Sequence, residues 1–572
     1  MGTVDRNAPN TPRAASAHPA RADGPGTTRR TPRKRFWLYA AFAGVASAGA
    51  LLAVAELIAL VVARDGSPVL AVGSFVIDIV PREAKEFAIA AFGANDKIFL
   101  LASIGLAVVI AAALAGVLQL AKRPLGLVLF ALAGGLAVAA IVTRAAATAF
   151  ASVPTLVGTV VGIVILHLLV RRLSRWREAV RARSAALTAA PDVREYARPD
   201  ETAPASDPVA DAPRGSGVDR RRFLVGTAIV AAASAVVGSG ARLVSAATSS
   251  LAGIRDSLAL PAPRSTVTVP AGAEFDIDGL SSLYTSNADF YRVDTALTVP
   301  QIDPATWSLK ITGMVDQEIT LSFQDLLDMG LDEYSITLTC VSNEVGGGLV
   351  GSAMWQGVPL RDVIALAKPQ SGADMLLSQS VDGYTASTPL ASVTDDGIDA
   401  ILAVAMNGQP LPFEHGFPVR MVVPGLYGYV SATKWLTELK ITTFEADQAY
   451  WTPRGYDAEA PIKMSSRIDT PRVDKQVAAG PAKIAGVAWA QTVGIERVEV
   501  QIDNGDWQPA TLSTAVNVDT WVQWYVDWTP TAGTHYIAVR AVDKAGNLQI
   551  EDRAPIVPNG TSGWQRTLVT VV

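Results

Sequence analysis

The chain has 572 residues, a formal net charge of −5 and 50% hydrophobic residues, with a mean hydropathy of +0.28. It is too apolar for an ordinary soluble protein and long enough for several domains. A lone cysteine excludes an internal disulfide, and the sequence contains no Cys-x-x-Cys, His-Glu-x-x-His, Walker loop or Cys-x-x-Cys-His haem site.

Residues 1–35 read as a disordered cytoplasmic tail. Next come four runs, 36–62, 98–120, 125–142 and 151–170, each near the roughly 20 apolar residues that cross a bilayer. They predict an all-α transmembrane region over 36–170. No small-residue cleavage site follows the first run, so it is a span and not a secretory signal. Arg33, Lys34 and Arg35 precede the first run, Lys122 and Arg123 separate the second from the third, and an arginine cluster from Arg171 to Arg183 follows the fourth. The intervening loops lack such an excess. The positive-inside rule therefore places the N-terminus in the cytoplasm and returns the chain there after four spans.

Residues 171–219 read as a cytoplasmic linker, rich in Ala, Pro, Asp and Arg beyond 184. The linker leads into "DRRRFLVGTAIVAAASAVVGSGAR", where Arg220, Arg221, Phe223 and Leu224 resemble a twin-arginine export signal. Residues 220–245 are thus either such a signal, read by the twin-arginine translocase, or a fifth transmembrane helix. Both readings put 243–572 outside the cytoplasmic membrane. Residues 1–254 carry a net charge of +12 and residues 255–572 a net charge of −17. So acidic an exported part is a poor partner for nucleic acid or for an anionic membrane surface.

Over 265–450, "WSLKITG", "YSITLTC" and "FPVRMVVPG" read as strands, and "SFQDLLDM" and "PLRDVIALA" as short helices, which predicts an α+β domain. From 463 to 572 the texture changes to alternating strands around Asn–Gly and Ala–Gly–Asn turns, which predicts an all-β immunoglobulin-like sandwich of about seven strands. With no disulfide, that sandwich relies on its core packing.

The one cysteine, Cys340, lies where "ITLTC" meets the glycine-rich "VSNEVGGG". A lone Cys is often a small buried hydrophobe. A soft thiolate beside glycines also suits a metal whose other ligands come from a large cofactor. Of four histidines only His167 lies in a span, so one chain cannot hold a membrane haem between two histidines.

The segments "TLTCVSNEVGG", "SAMWQGVPLRDVI", "VDGYTASTPL", "AMNGQPLPFEHGFPVRMVVPGLYGYVSATKWL", "YWTPRG" and "APIKMSSRIDTP" together resemble the sulfite oxidase family of molybdopterin enzymes. The likeness runs from about 285 to the C-terminus and implies that the final domain is the family's dimerisation domain, hence a homodimer. It implies molybdenum and molybdopterin as cofactors, with Cys340 the protein ligand to the metal. Tyr384 matches the family's active-site tyrosine, a hydrogen-bond donor beside the metal's oxygen ligand. His415, Arg420 and Lys434 match positions that hold the pterin and its phosphate, a task for forked and point-charge donors. Arg292 in "FYRVD" matches an arginine at the front of the site.

Sulfite-oxidising members have arginines four and five residues after the cysteine, whereas this chain has Glu344 and Val345. A carboxylate there is expected to repel sulfite and favour a neutral oxo-substrate. The reading is a membrane-anchored oxidoreductase that moves an oxygen atom to or from a small-molecule substrate and exchanges electrons with an unidentified carrier. The alternatives are a reductase of S-oxides or N-oxides, or a surface binding protein that kept the fold without the metal.

Overall fold

The computed structural model describes residues 33–62, 72–73, 75–76, 80, 96–143, 150–189, 215–246, 249–472 and 475–572. Nearly all of the predicted tail, most of the loop after the first span, Arg144 and linker residues 190–214 lie outside the described residues.

The N-terminal region is helical, as its uninterrupted Ala, Leu and Val runs dictate: α1 (Arg33–Val62), α2 (Asp96–Ala121), α3 (Leu125–Val142) and α4 (Val153–Ala189). Stretches within these four helices are long and apolar enough to cross a membrane, where a helix satisfies its own backbone. Glycine lets the first two approach closely. A Cβ on Gly44 would lie 1.9 Å from the Ala112 carbonyl oxygen, and one on Gly116 would lie 2.0 Å from that of Ala40.

One boundary differs from the sequence expectation. Residues 171–189, expected to belong to the linker, continue α4 as helix. The arginines of this stretch are good helix formers, and between them Leu173 and Trp176 form a buried stripe. This stripe receives α5 (Gly215–Ala246): buried Phe223 has its ring centroid 6.2 Å from Trp176 and 6.0 Å from Tyr39 of α1. Helix α6 (Ser249–Ser257) then fastens the chain to the sheet-bearing region, as Arg255 donates to the carbonyls of Leu411 at 2.8 Å and Pro410 at 3.0 Å.

The next unit contains two sheets. Strands β1 (Ser308–Gly313) and β2 (Ile319–Ser322) are followed by α7 (Phe323–Asp328), which opens on a capping box between Ser322 and Asp325. Then come β3 (Asp332–Thr339), β4 (Val350–Pro359), α8 (Leu360–Ala367), β5 (Met375–Ser380), β6 (Thr385–Pro389), β7 (Ile401–Met406), β8 (Gln409–Pro410), β9 (Arg420–Val422) and β10 (Leu436–Thr442). One sheet runs β2-β1-β10-β5-β6, with β1 and β10 parallel; the other runs β3-β4-β7-β8, with β9 also on β7. The fully apolar β7 is buried along its whole length, as a strand covered on both faces must be.

The C-terminal unit has eight strands: β11 (Ser465–Thr470), β12 (Ala482–Trp489), β13 (Ile495–Ile502), β14 (Gln508–Pro509), β15 (Thr511–Leu512), β16 (Val522–Trp528), β17 (Gly533–Asp543) and β18 (Gln565–Val571). They form two four-stranded sheets, β11-β12-β16-β15 and β14-β13-β17-β18. Their inward residues, Ile484, Val498, Trp524 and Val539 among them, share one core. Trp489 and Trp521 belong instead to the core of the preceding unit, so the two units meet through continuous apolar packing.

Candidate active site

Strand β3 ends at Thr339, and the next residue, Cys340, is 8% exposed at the wall of an open cleft. Its burial is held by the backbone: the Cys340 amide donates to the Leu349 carbonyl at 2.9 Å, closing the loop 341–348. Burial pushes the thiol pKa up, so an unliganded Cys340 stays protonated at neutral pH.

The cleft gathers five of the six residues singled out from sequence: Cys340, Tyr384, His415, Arg420 and Lys434. Arg420, on β9, is 4% exposed. It donates to the carbonyls of His415 at 3.2 Å and Ala432 at 3.4 Å and lies 5.0 Å from the Trp355 ring centroid. Its Nε has no hydrogen-bond partner, and among the described residues it has no ion pair. Desolvation lowers its pKa only to about 10, so it remains charged.

Beside it, Lys434 is brought down to about 8 by burial, partly offset by Asp294 at 2.8 Å. His415 falls to about 4, first through burial and then through Arg420. It is therefore neutral, with its Nε2 hydrogen donated to the Asn287 carbonyl at 3.0 Å, because a carbonyl can only accept. One buried guanidinium without a counter-ion beside an ammonium is an arrangement that costs several kcal/mol unless an anion completes it.

Arg292 lies elsewhere. It is partly exposed outside the cleft lining, with Nε 2.8 Å from Asp294. Asp294 thus bridges Arg292 at the rim and Lys434 inside. Tyr384 reaches the cleft, but its hydroxyl donates to the Tyr429 carbonyl at 2.8 Å.

The sequence reading missed Asp294, Tyr291 and Trp451, which also line the cleft. The first two flank Arg292 in "FYRVD" and adjacency was their only signal. The expectation for Glu344 and Val345 is corrected: neither lines the cleft, and Glu344 is exposed. The loop carrying them is bound on its other side by the C-terminal unit, where Thr561 donates to the Asn343 carbonyl and Arg467 to that of Gly347. The carboxylates that do face the cleft are Asp294 and Asp382.

Residues 296–451 match the oxidoreductase molybdopterin-binding domain family. Mitochondrial sulfite oxidase of Mus musculus is 30% identical over 368 residues, 55% of this chain and 67% of that protein. The human protein is 31% identical over 337 residues, covering 50% of this chain and 61% of its own length. Among solved structures, the sulfane dehydrogenase SoxCD from Paracoccus pantotrophus covers 53% of this chain and 88% of that one, with a TM-score of 0.46 and 22% identity.

The chain carries a molybdopterin-binding oxidoreductase domain, whose cofactor is molybdenum held by molybdopterin, and it spans about three fifths of the length of the first primate sulfite oxidases it matches. The chain belongs to the sulfite oxidase family. The residues present fit that cofactor: the cleft offers a thiol for a soft metal and, at Arg420, a buried cation with an orphaned donor suited to a phosphate.

Proposed function

We propose that this chain is a membrane-anchored oxidoreductase that catalyses two-electron oxygen-atom transfer on a small substrate outside the cytoplasmic membrane. The observation that carries the reading is the uncompensated Arg420 beside Lys434 and neutral His415, in the same cleft as Cys340. When bound, the cofactor supplies the two-electron redox chemistry and the site for the transferred oxygen.

In this reading Cys340 is the protein ligand to molybdenum, and Arg420, Lys434 and His415 hold the pterin and its phosphate. Arg292 guards the entrance through Asp294. Tyr384 orients the reacting oxygen after releasing the Tyr429 carbonyl. Helices α1–α4 form the anchor, with a cytoplasmic N-terminus. Residues 220–245 act as a twin-arginine signal retained as a fifth helix, which the packing of Phe223 against Trp176 supports. The C-terminal unit is an immunoglobulin-like dimerisation domain. An electron carrier outside the membrane completes the cycle.

A second reading, a reductase of neutral S-oxides or N-oxides, is favoured by one feature of the entrance. Arg292 and Lys434 share the single carboxylate of Asp294, and Asp382 also faces the cleft. The rim arginine and the lysine inside it are therefore already partly neutralised and offer a dianion little attraction.

The test is molybdenum and pterin quantification on purified full-length protein, wild type against Arg420→Met. Near-stoichiometric metal and pterin in the wild type, with a loss of at least tenfold in the variant, is the expected result. Full retention by Arg420→Met would overturn the phosphate assignment. Donor and acceptor assays with sulfite and with a neutral sulfoxide then separate the two directions.

A further inference from the structure

The loop between Cys340 and Leu349 is held from two sides. Within itself, Asn343 donates its amide to the Cys340 carbonyl at 3.0 Å and accepts the Leu349 amide on Oδ1 at 2.8 Å, while the Gly347 amide donates to Glu344 at 2.7 Å. These bonds make the loop a closed ring of chain with Asn343, 8% exposed, as its internal pin. From outside, the C-terminal unit supplies three contacts. Thr561 Oγ1 donates to the Asn343 carbonyl at 2.8 Å, and Arg467 Nη1 donates to the Gly347 carbonyl at 3.1 Å. Gln565 packs so closely on Gly346, at φ +83°, that a Cβ there would lie 2.9 Å from its side chain.

Arg467 is itself immobilised. Its Nε lies 2.6 Å from Asp469, Nη2 donates to Ser281 at 2.9 Å, and the guanidinium sits 5.8 Å from the Trp521 ring centroid. Asp469 in turn accepts the Ser281 amide at 3.0 Å. All three guanidinium nitrogens of Arg467 are therefore directed by partners in the surrounding structure, and one of them reaches the loop.

We propose that the C-terminal unit is a positioning element for the active site, with Thr561 and Arg467 fixing the loop that sets the direction of the Cys340 sulfur. Dimerisation, where it occurs, is a separate property of the same unit. The inference rests on the reading of Cys340 as the metal ligand. Its test does not need the metal, so the two can fail separately.

Because Cys340 is the only cysteine in the chain, its alkylation by iodoacetamide in cofactor-free, full-length protein reports the loop directly. Thr561→Val and Arg467→Met are expected to accelerate alkylation about fivefold to tenfold, the population shift that loss of one hydrogen bond produces. Thr561→Ser, which keeps the donor, restores the wild-type rate. Lys483→Met is the control: it removes an ion pair of the same unit, with Asp527 at 2.6 Å, beside Tyr525 and not the loop, and leaves alkylation unchanged. In cofactor-loaded protein the Thr561→Val change also shifts the molybdenum(V) paramagnetic resonance signal, while Lys483→Met does not. Wild-type alkylation rates in Thr561→Val, or an equal acceleration by Lys483→Met, would overturn the proposal. If Arg467→Met does not fold, the Thr561 pair alone decides it.

Discussion

Two buried arginines in this molecule are handled in opposite ways. Arg467, at the seam between the two sheet-bearing units, has a carboxylate at 2.6 Å and two further acceptors for its remaining donors. Arg420, at the cleft, has two weakly placed carbonyls, an unused Nε and no counter-ion among the described residues. The first arrangement closes on itself and holds the two units together. The second is stable only as a host, because a desolvated charge without a partner is among the more expensive features a fold can carry. Burial alone does not separate structural from functional charge; satisfaction of the buried group does.

The largest effect expected is at the thiol. Cys340→Ser should abolish turnover while leaving thermal unfolding near the wild-type value, since a hard hydroxyl cannot replace a soft thiolate yet fits the same space. Activity at the wild-type level in that variant would remove Cys340 from the chemistry. Next, the two arginines should respond with opposite signs in cofactor-free protein. Arg467→Met leaves Asp469 buried and unpaired, and is expected to cost about 3–5 kcal/mol; Arg420→Met removes a lone buried charge and is expected to stabilise by about 1–4 kcal/mol. Denaturant unfolding of the two variants checks this, and destabilisation by both would erase the distinction between them.

Much of the fold and most of the cleft were legible in the sequence, and the parts that were not share a cause. The apolar runs of the N-terminal region, the Ser322 cap and the alternation in β13 and β17 are local patterns, and the structure places helix, helix start and strands there. The helix over 171–189 was hidden because six arginines mask a stripe of only a few apolar residues. Arg467 stood in a quoted motif, yet its alternation with Ser466 and Ile468 reads only as strand. Its partner Gly347 is 120 positions away, and no local pattern encodes that distance. Asp294 was passed over for Arg292, although it is the residue that links rim to interior. Glu344 was weighed by its distance in sequence from Cys340, which says nothing of which side of a loop meets solvent.

The smallest effect expected sharpens the comparison at a third buried charge, on the seam itself. Asp519 is 7% exposed, one of its carboxylate oxygens has no partner, and its amide and carbonyl are engaged with Asn517 and with Gln491 and Thr337. Desolvation, with a smaller contribution from Asp399, raises its pKa to about 7. The folded state therefore holds a proton that the unfolded chain releases near pH 4. Its contribution is present in full below that value and is lost as pH rises through about 7. Stability should thus fall across this window in the wild type. Asp519→Asn keeps the shape without the titration and should flatten that part of the profile, gaining most at pH 8 and little at pH 4. Denaturant midpoints at the two pH values give the answer. Equal shifts at both would mean that Asp519 is charged throughout and paired after all, and the seam would then hold only satisfied charges.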